Sequence, residues 1–170
     1  MKTIMLTQNK ETLVDDEDYE MLMEHKWYAN KLGNGKFYVM RSSPRDSNGK
    51  RKTILMHRVI TNTPKGMQVD HINGNPLDNR RENLRTCTNQ QNGMNRERTK
   101  NNKSGYKGVC YKKRTKNMIN EYPKPWLARI KHNQKIIHLG YYKTKEEAAL
   151  AYNKKAIELF GEYVKLNNVL

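Results

Sequence analysis

Cysteine is nearly missing from this sequence: there are two in 170 residues, Cys87 and Cys110, and neither sits in a Cys-x-x-Cys pair. Two thiols cannot complete a tetrahedral thiolate zinc site, so no structural zinc is expected and both should be reduced, packed as small apolar side chains. Long apolar runs are also missing. Nothing approaches the roughly 20 residues that span a bilayer, and the basic start at Met1-Lys2 is not followed by the apolar stretch of a signal peptide. A cytoplasmic protein without a membrane partner is expected. Apolar residues make up only 35% of the chain and the mean hydropathy is −1.05. That is lean for one large core, and favours small units ordered partly through a partner.

Acidic residues are few as well, 17 against 33 lysines and arginines, giving a net charge of +16 and a pI near 9.8. Such an excess suits a polyanion, nucleic acid before membrane. The acids crowd the N-terminal quarter (Glu11, Asp15, Asp16, Glu17, Asp18, Glu20, Glu24), while Arg96 to Lys135 is heavily basic. The basic stretch recurs on both sides of expected strands, which favours a DNA-facing surface over a merely solvated one.

Four parts are expected, in an α+β chain. Residues 1–50 read as an α+β lead-in. Ile4 and Leu6 alternate with polar neighbours as in a short strand. Asp15 or Asp16 caps a brief helix with Tyr19, Leu22 and Met23 on one face, and a hairpin turns at Gly33-Asn34-Gly35. Residues 51–97 form a ββα unit. Thr53 to Met56 is a strand, Val69 ends a strand delivering Asp70 and His71, Leu84-Arg85-Thr86 returns, and Thr88 caps a last helix carrying Asn92. Residues 98–103 form a basic linker. Residues 104–170 give a three-stranded antiparallel sheet packed on one helix. In that helix Thr144 and Glu147 make a capping box, Ala148, Tyr152, Ala156 and Leu159 an apolar stripe, and Gly161 the stop.

Within the second part, Asp70-His71, Asn83 and Asn92 form the chemically informative set. A carboxylate from Asp70 and an amide oxygen from Asn92 can hold one hard divalent cation, magnesium or manganese, while His71 beside them takes a proton from water. That chemistry suits phosphodiester hydrolysis. The same residues, in order and spacing, with Gly74-Asn75 in the loop and Asn83-Leu84-Arg85 behind it, resemble the phage HNH homing endonucleases in the variant whose last histidine is asparagine. The resemblance implies a ββα-metal fold with one ion per active site, and makes Asn83 the residue that tethers the loop and orients His71. A His-Arg pair recurs ahead of the motif in similar nucleases. On that footing Arg58 is expected to clamp a phosphate, and His57 stands between a part in the site, supporting it or meeting a phosphate, and a packed structural role. Arg85 either neutralises a phosphate or decorates an exposed strand.

The last part carries Gly105-Tyr106-Lys107-Gly108-Val109, Trp126-Leu127-Ala128-Arg129-Ile130, His138-Leu139-Gly140-Tyr141-Tyr142 and Lys165-Leu166-Asn167. Over nearly its whole length it resembles the Apetala-type (ethylene-response-factor) DNA-binding domain. The resemblance implies that the sheet enters the major groove and puts DNA contacts on Lys107, Lys112, Arg129, Lys131 and His138. Cys110 and Ile136 stand where that family commonly has arginine and His138 where it has tryptophan, so backbone binding is expected while the family's sequence preference need not carry over.

Together these expectations describe a site-specific, homing-type DNA endonuclease acting on duplex DNA in a bacterial or phage-infected cell. A monomer on DNA is favoured, with a dimer left open, and both nicking and double-strand cleavage are open. A non-catalytic DNA-binding regulator is the main alternative, and an RNA-directed protein the third.

Overall fold

A computed structural model describes residues 1–96, 101–112 and 123–169. The chain divides into two units, Met1–Gly93 and Met94–Leu170.

The first unit opens with an antiparallel hairpin of β1 (Lys2–Met5) and β2 (Glu11–Val14), followed by α1 (Asp16–Met23). Strands β3 (Tyr28–Lys31), β4 (Phe37–Ser42) and β5 (Thr53–Leu55) form an antiparallel sheet with β4 in the centre. Helix α2 (Met56–Thr61) starts directly after β5, ahead of the two-stranded ribbon of β6 (Gln68–His71) and β7 (Leu84–Cys87). A 3-10 turn at Arg81–Asn83 leads into β7, and α3 (Asn89–Met94) follows it. The ββα unit expected over 51–97 thus has its two strands and its helix in the expected order.

Two local expectations need correction. Met56 is not the end of a strand but the first residue of α2, where Met56 and Ile60, one turn apart, are both buried; burial of this pair in the core overrides the β-like local pattern. In α1, Leu22 is buried but Met23 is 49% exposed. The third position on the inner face, with Tyr19 and Leu22, belongs to Asp18, which is buried and bonded to Arg81 through Nη2 at 2.6 Å and Nε at 2.8 Å. One of the crowded N-terminal acids is therefore a cross-link.

One core serves the whole unit. Ile4, Val14, Leu22, Trp27, Ala29 and Val39 from the first fifty residues pack with Met56, Ile60, Val69 and Leu84 from the next forty-three. The lead-in expected over 1–50 shares its interior with the residues that follow.

In the second unit β8 (Val109–Tyr111), β9 (Trp126–His132) and β10 (Lys135–Tyr142) form an antiparallel sheet with β9 in the centre, followed by α4 (Lys145–Phe160) and a 3-10 turn at Gly161–Tyr163. Helix α4 packs Ala148, Ala149, Tyr152, Ala156 and Phe160 against Val109, Ala128 and Ile130. Thr144 caps it by accepting from the Glu147 amide at 3.1 Å. Gly108 has φ +71, and a Cβ there would lie 2.1 Å from the Tyr152 ring and 2.5 Å from the Arg129 carbonyl oxygen. Only glycine lets the sheet and helix close this far. Of the linker expected over 98–103, residues 98–100 lie outside the described residues. Asn102 belongs to the folded unit, donating to the Tyr106 carbonyl at 2.7 Å and accepting from the Gly105 amide at 3.0 Å. Among the described residues no helix is long and apolar enough to cross a membrane.

Candidate active site

In the β6–β7 ribbon Asp70 stands opposite Arg85, and His71 opposite Leu84. Because successive strand residues face opposite ways, Asp70 and His71 leave the ribbon on different sides. The Asp70 side also carries Arg85 and Cys87. Arg85 donates to Asp70 Oδ2 from Nη2 at 2.7 Å and from Nε at 3.0 Å, with both side chains largely withdrawn from water. Neither expectation for Arg85 holds: it grips the candidate metal-binding carboxylate, because cross-strand pairing brings opposite charges together out of water.

Asn92 sits in α3, whose start Thr88 and Gln91 cap reciprocally. The Asn92 backbone N–H bonds to the Thr88 carbonyl at 3.0 Å. The thiol of Cys87, just ahead of this helix, is pushed up first by burial and then by the charge of Asp70. One carboxylate and one amide oxygen are the hard donors that suit magnesium or manganese, with water and phosphate filling the remaining positions. Among the described residues no three His, Cys, Asp or Glu side chains gather as a metal cluster, so any ion here rests on few protein ligands.

On the other side of the ribbon His71 meets a buried aromatic group. Its ring lies edge-on to His57 with centroids 5.1 Å apart, and Tyr38 stands edge-on to both histidines. Burial lowers the pKa of each histidine, that of His57 to about 3, with the His71 charge as its second cause. For His71, burial is opposed by the hydrogen bond that its Nε2 makes to Asn79 Oδ1 and by the charges of Asp70 and Asp78. Both imidazoles are therefore neutral near pH 7, and neutral His71 is the proton-accepting form. His57, left open between two roles, is a buried ring packed against His71. Arg58 is corrected: it donates to the carbonyls of Met67, Thr63 and Pro64. These bonds tie α2 to the turn before β6, so its fork is occupied by backbone rather than offered to phosphate.

The loop from β6 to β7 is held by amides. Asn83 is buried, accepts from the Asn73 N–H at 2.9 Å and donates to the Asp78 carbonyl at 2.8 Å, so one side chain staples both ends of the loop. Asn73 in turn donates to Asp78 Oδ2 at 2.8 Å, and Arg80 grips the same carboxylate. Sequence reasoning passed over Asn79, which is fully buried and lies 3.4 Å from His71 Nε2. An asparagine in an Asn-rich stretch reads as a turn former, and its only signal was its position between Asp78 and Arg80.

In the second unit Arg129, Lys131, Ile136 and His138 are exposed, and the register pairs Arg129 with His138 and Lys131 with Ile136. Alternation puts all four on the face turned away from α4. Lys112 is exposed and lies over the Tyr141 ring at 5.0 Å. Lys107 does not join them. Its ammonium donates to the carbonyls of Met94 at 2.7 Å and Lys165 at 2.9 Å, and burial, then Lys165, lowers its pKa to about 8. It lies before β8 rather than on the open face, so the expected DNA contact there is replaced by a structural one.

Comparison with known proteins places residues 55–94 under the family model described as HNH endonuclease. The chain is 30% identical over 159 residues, 90% of its own length and 72% of the relative's, to an uncharacterized HNH endonuclease of Acanthamoeba polyphaga mimivirus. It is also 44% identical over 50 residues, 29% of this chain and 41% of the relative, to the protein called "Protein 3.8" of Escherichia phage T7. No solved structure matches at a significant level.

Proposed function

The chain belongs to the HNH endonuclease family and is a nuclease; from that premise we propose that it hydrolyses duplex DNA at specific sites, as a homing-type enzyme using one divalent ion. The observation that carries the reading is the placement of Asp70 and His71 at one end of a two-stranded ribbon, with Asn83 stapling the loop beyond them; Asn92, in the helix that follows β7, is proposed to bring its amide oxygen to Asp70. A phosphate laid across the end of this ribbon meets the oxygen donors on one side and the imidazole on the other. Asp70 and Asn92 would hold the magnesium or manganese ion, which would supply positive charge against the negative charge that develops during hydrolysis. His71 takes a proton from the attacking water. The water oxygen bonds to phosphorus, the bond to the 3′ oxygen breaks and its electron pair stays on that oxygen, which takes a proton from solvent water; the products are a 5′ phosphate and a 3′ hydroxyl. Asn83 keeps the loop, and with it His71, in place.

The second unit is proposed as the part that grips DNA, in the manner of the Apetala-type domain it resembles, through Lys112, Arg129, Lys131 and His138 on the open face of its sheet. The support is an exposed, basic sheet face whose opposite side is filled by α4. Relatives encoded by a virus and a phage suit action inside an infected cell.

The test is digestion of a genomic library with magnesium or manganese, with cut positions mapped on each strand. Recurrent metal-dependent cuts at one sequence are expected. Cleavage at random, or of structured RNA in preference to duplex DNA, would overturn the site-specific DNA reading.

A further inference from the structure

We propose that Asn79, locked by Thr12, is a positioning residue that fixes the tautomer of His71, placing the hydrogen on Nε2 and the basic lone pair on Nδ1. The inference rests on the reading of His71 as the base and names what prepares it. The chain of bonds starts at a carbonyl, which can only accept. Thr12 Oγ1 lies 2.7 Å from the Leu77 carbonyl oxygen, so the threonine hydrogen is committed there. Its oxygen, 2.8 Å from the Asn79 amide, must then accept from the Asn79 NH₂ group. The second amide hydrogen has the Pro76 carbonyl at 3.3 Å. With both neighbours accepting, the Asn79 nitrogen faces Thr12 and Pro76, and Oδ1 faces His71 Nε2 at 3.4 Å. Oδ1 has no hydrogen to give, so Nε2 must carry it.

Burial makes this arrangement stiff. Thr12 and Asn79 are both 0% exposed, so a flipped amide would find no water to repair its bonds and would point oxygen at oxygen. The backbone adds to the lock: the Leu13 N–H donates to the Leu77 carbonyl at 3.0 Å, and the Asn79 N–H to the Leu13 carbonyl at 2.8 Å. A strand more than fifty residues ahead of Asp70 therefore sets the hydrogen-bonding sense of the imidazole.

The full chain, labelled with nitrogen-15, tests this by long-range proton–nitrogen correlation of the histidine rings, His71 being assigned by the signal lost in His71→Ala. A protonated Nε2 and bare Nδ1 are expected. Thr12→Val, which keeps shape but removes the hydroxyl, and Asn79→Leu, which removes the acceptor, should mix or reverse the tautomers. Both should slow single-turnover cleavage of plasmid DNA on the order of 10- to 100-fold, with DNA affinity within about threefold. Thr12→Ser restores the hydroxyl and should recover tautomer and rate. Protonated Nδ1 in the parent, or a Thr12→Val protein with unchanged tautomer and rate, overturns the inference while leaving the general-base reading standing. Parent-like cleavage by His71→Ala overturns that reading and the catalytic half of the inference, whatever tautomer the spectrum reports.

Discussion

Arg85 holds Asp70 from directly across the ribbon, through two nitrogens on a single carboxylate oxygen. A guanidinium thus occupies part of the carboxylate proposed to hold the metal ion. Removing it should leave a buried carboxylate without its cation, at a cost of about 3 kcal/mol. Arg85→Met should therefore melt well below the parent without metal, and manganese should raise its melting temperature more than it raises the parent's. Equal shifts in a metal titration by thermal unfolding would separate Asp70 from the metal.

His71→Ala should abolish cleavage while leaving DNA affinity within about tenfold, or 1.4 kcal/mol, because the ring is proposed to move a proton and to bind no ion. Asp70→Ala and Asn92→Ala should also be inactive, Asp70→Ala more completely, since an anionic oxygen holds a divalent ion better than an amide does. Paired cleavage and binding assays on one duplex decide this. Near-parental cleavage by His71→Ala at neutral pH would sink it.

His57 predicts how stability depends on pH. Its folded pKa, about 3, lies below the ordinary value of 6.5 because burial disfavours the charged ring. The folded state therefore binds fewer protons than the unfolded state between these values. Its contribution is intact above pH 6.5 and is lost as pH falls towards 3, with a slope of up to roughly 1.4 kcal/mol per pH unit. Denaturant unfolding at a series of pH values should show this slope reduced by about one proton in His57→Leu. An unchanged slope would mean that His57 titrates normally.

The second unit should contribute salt-dependent affinity. Arg129→Ala and Lys131→Ala should each flatten the log–log dependence of DNA affinity on salt by roughly one unit. Lys107→Ala should leave that slope alone and lower stability, because its ammonium is spent on the Met94 and Lys165 carbonyls. If all three substitutions change the slope alike, the assignment of faces is wrong.

Gly108→Ala should unfold the second unit, since the added methyl meets the Tyr152 ring and the Arg129 carbonyl and the positive φ strains any other residue. Loss of the cooperative thermal transition of that unit, followed by a near-ultraviolet signal from Tyr152 and Trp126, is the measurement. A parent-like transition would contradict the close approach.

Much of this architecture can be read from residue order, for identifiable reasons. Val69 to His71 and Leu84 to Thr86 are short segments, each led by an apolar residue and flanked by turn-forming sequence, and they pair as the ribbon. Thr88 and Thr144 announce helices through chemistry local to one turn. Illegible were the partners that distant segments bring. Nothing near Arg58 or Lys107 tells that carbonyls will absorb their charge, and nothing near Asp18 tells that Arg81 will reach it. Arg85 looked like a surface residue because its neighbour is visible only once two strands fifteen positions apart lie in register. Thr12 carries no local signal at all.

The lacing of β2 to residues 77–79, where Leu13 bridges to Asp78 in parallel, governs how this enzyme can exchange parts in recombination. A crossover near residue 50 would join the Asp-His strand to a foreign N-terminus lacking the threonine and the backbone bonds that seat its loop. Exchanges that spare the chemistry must bring residues 1–93 as one inheritance, and the natural joint for swapping the second unit falls between Gly93 and Met94.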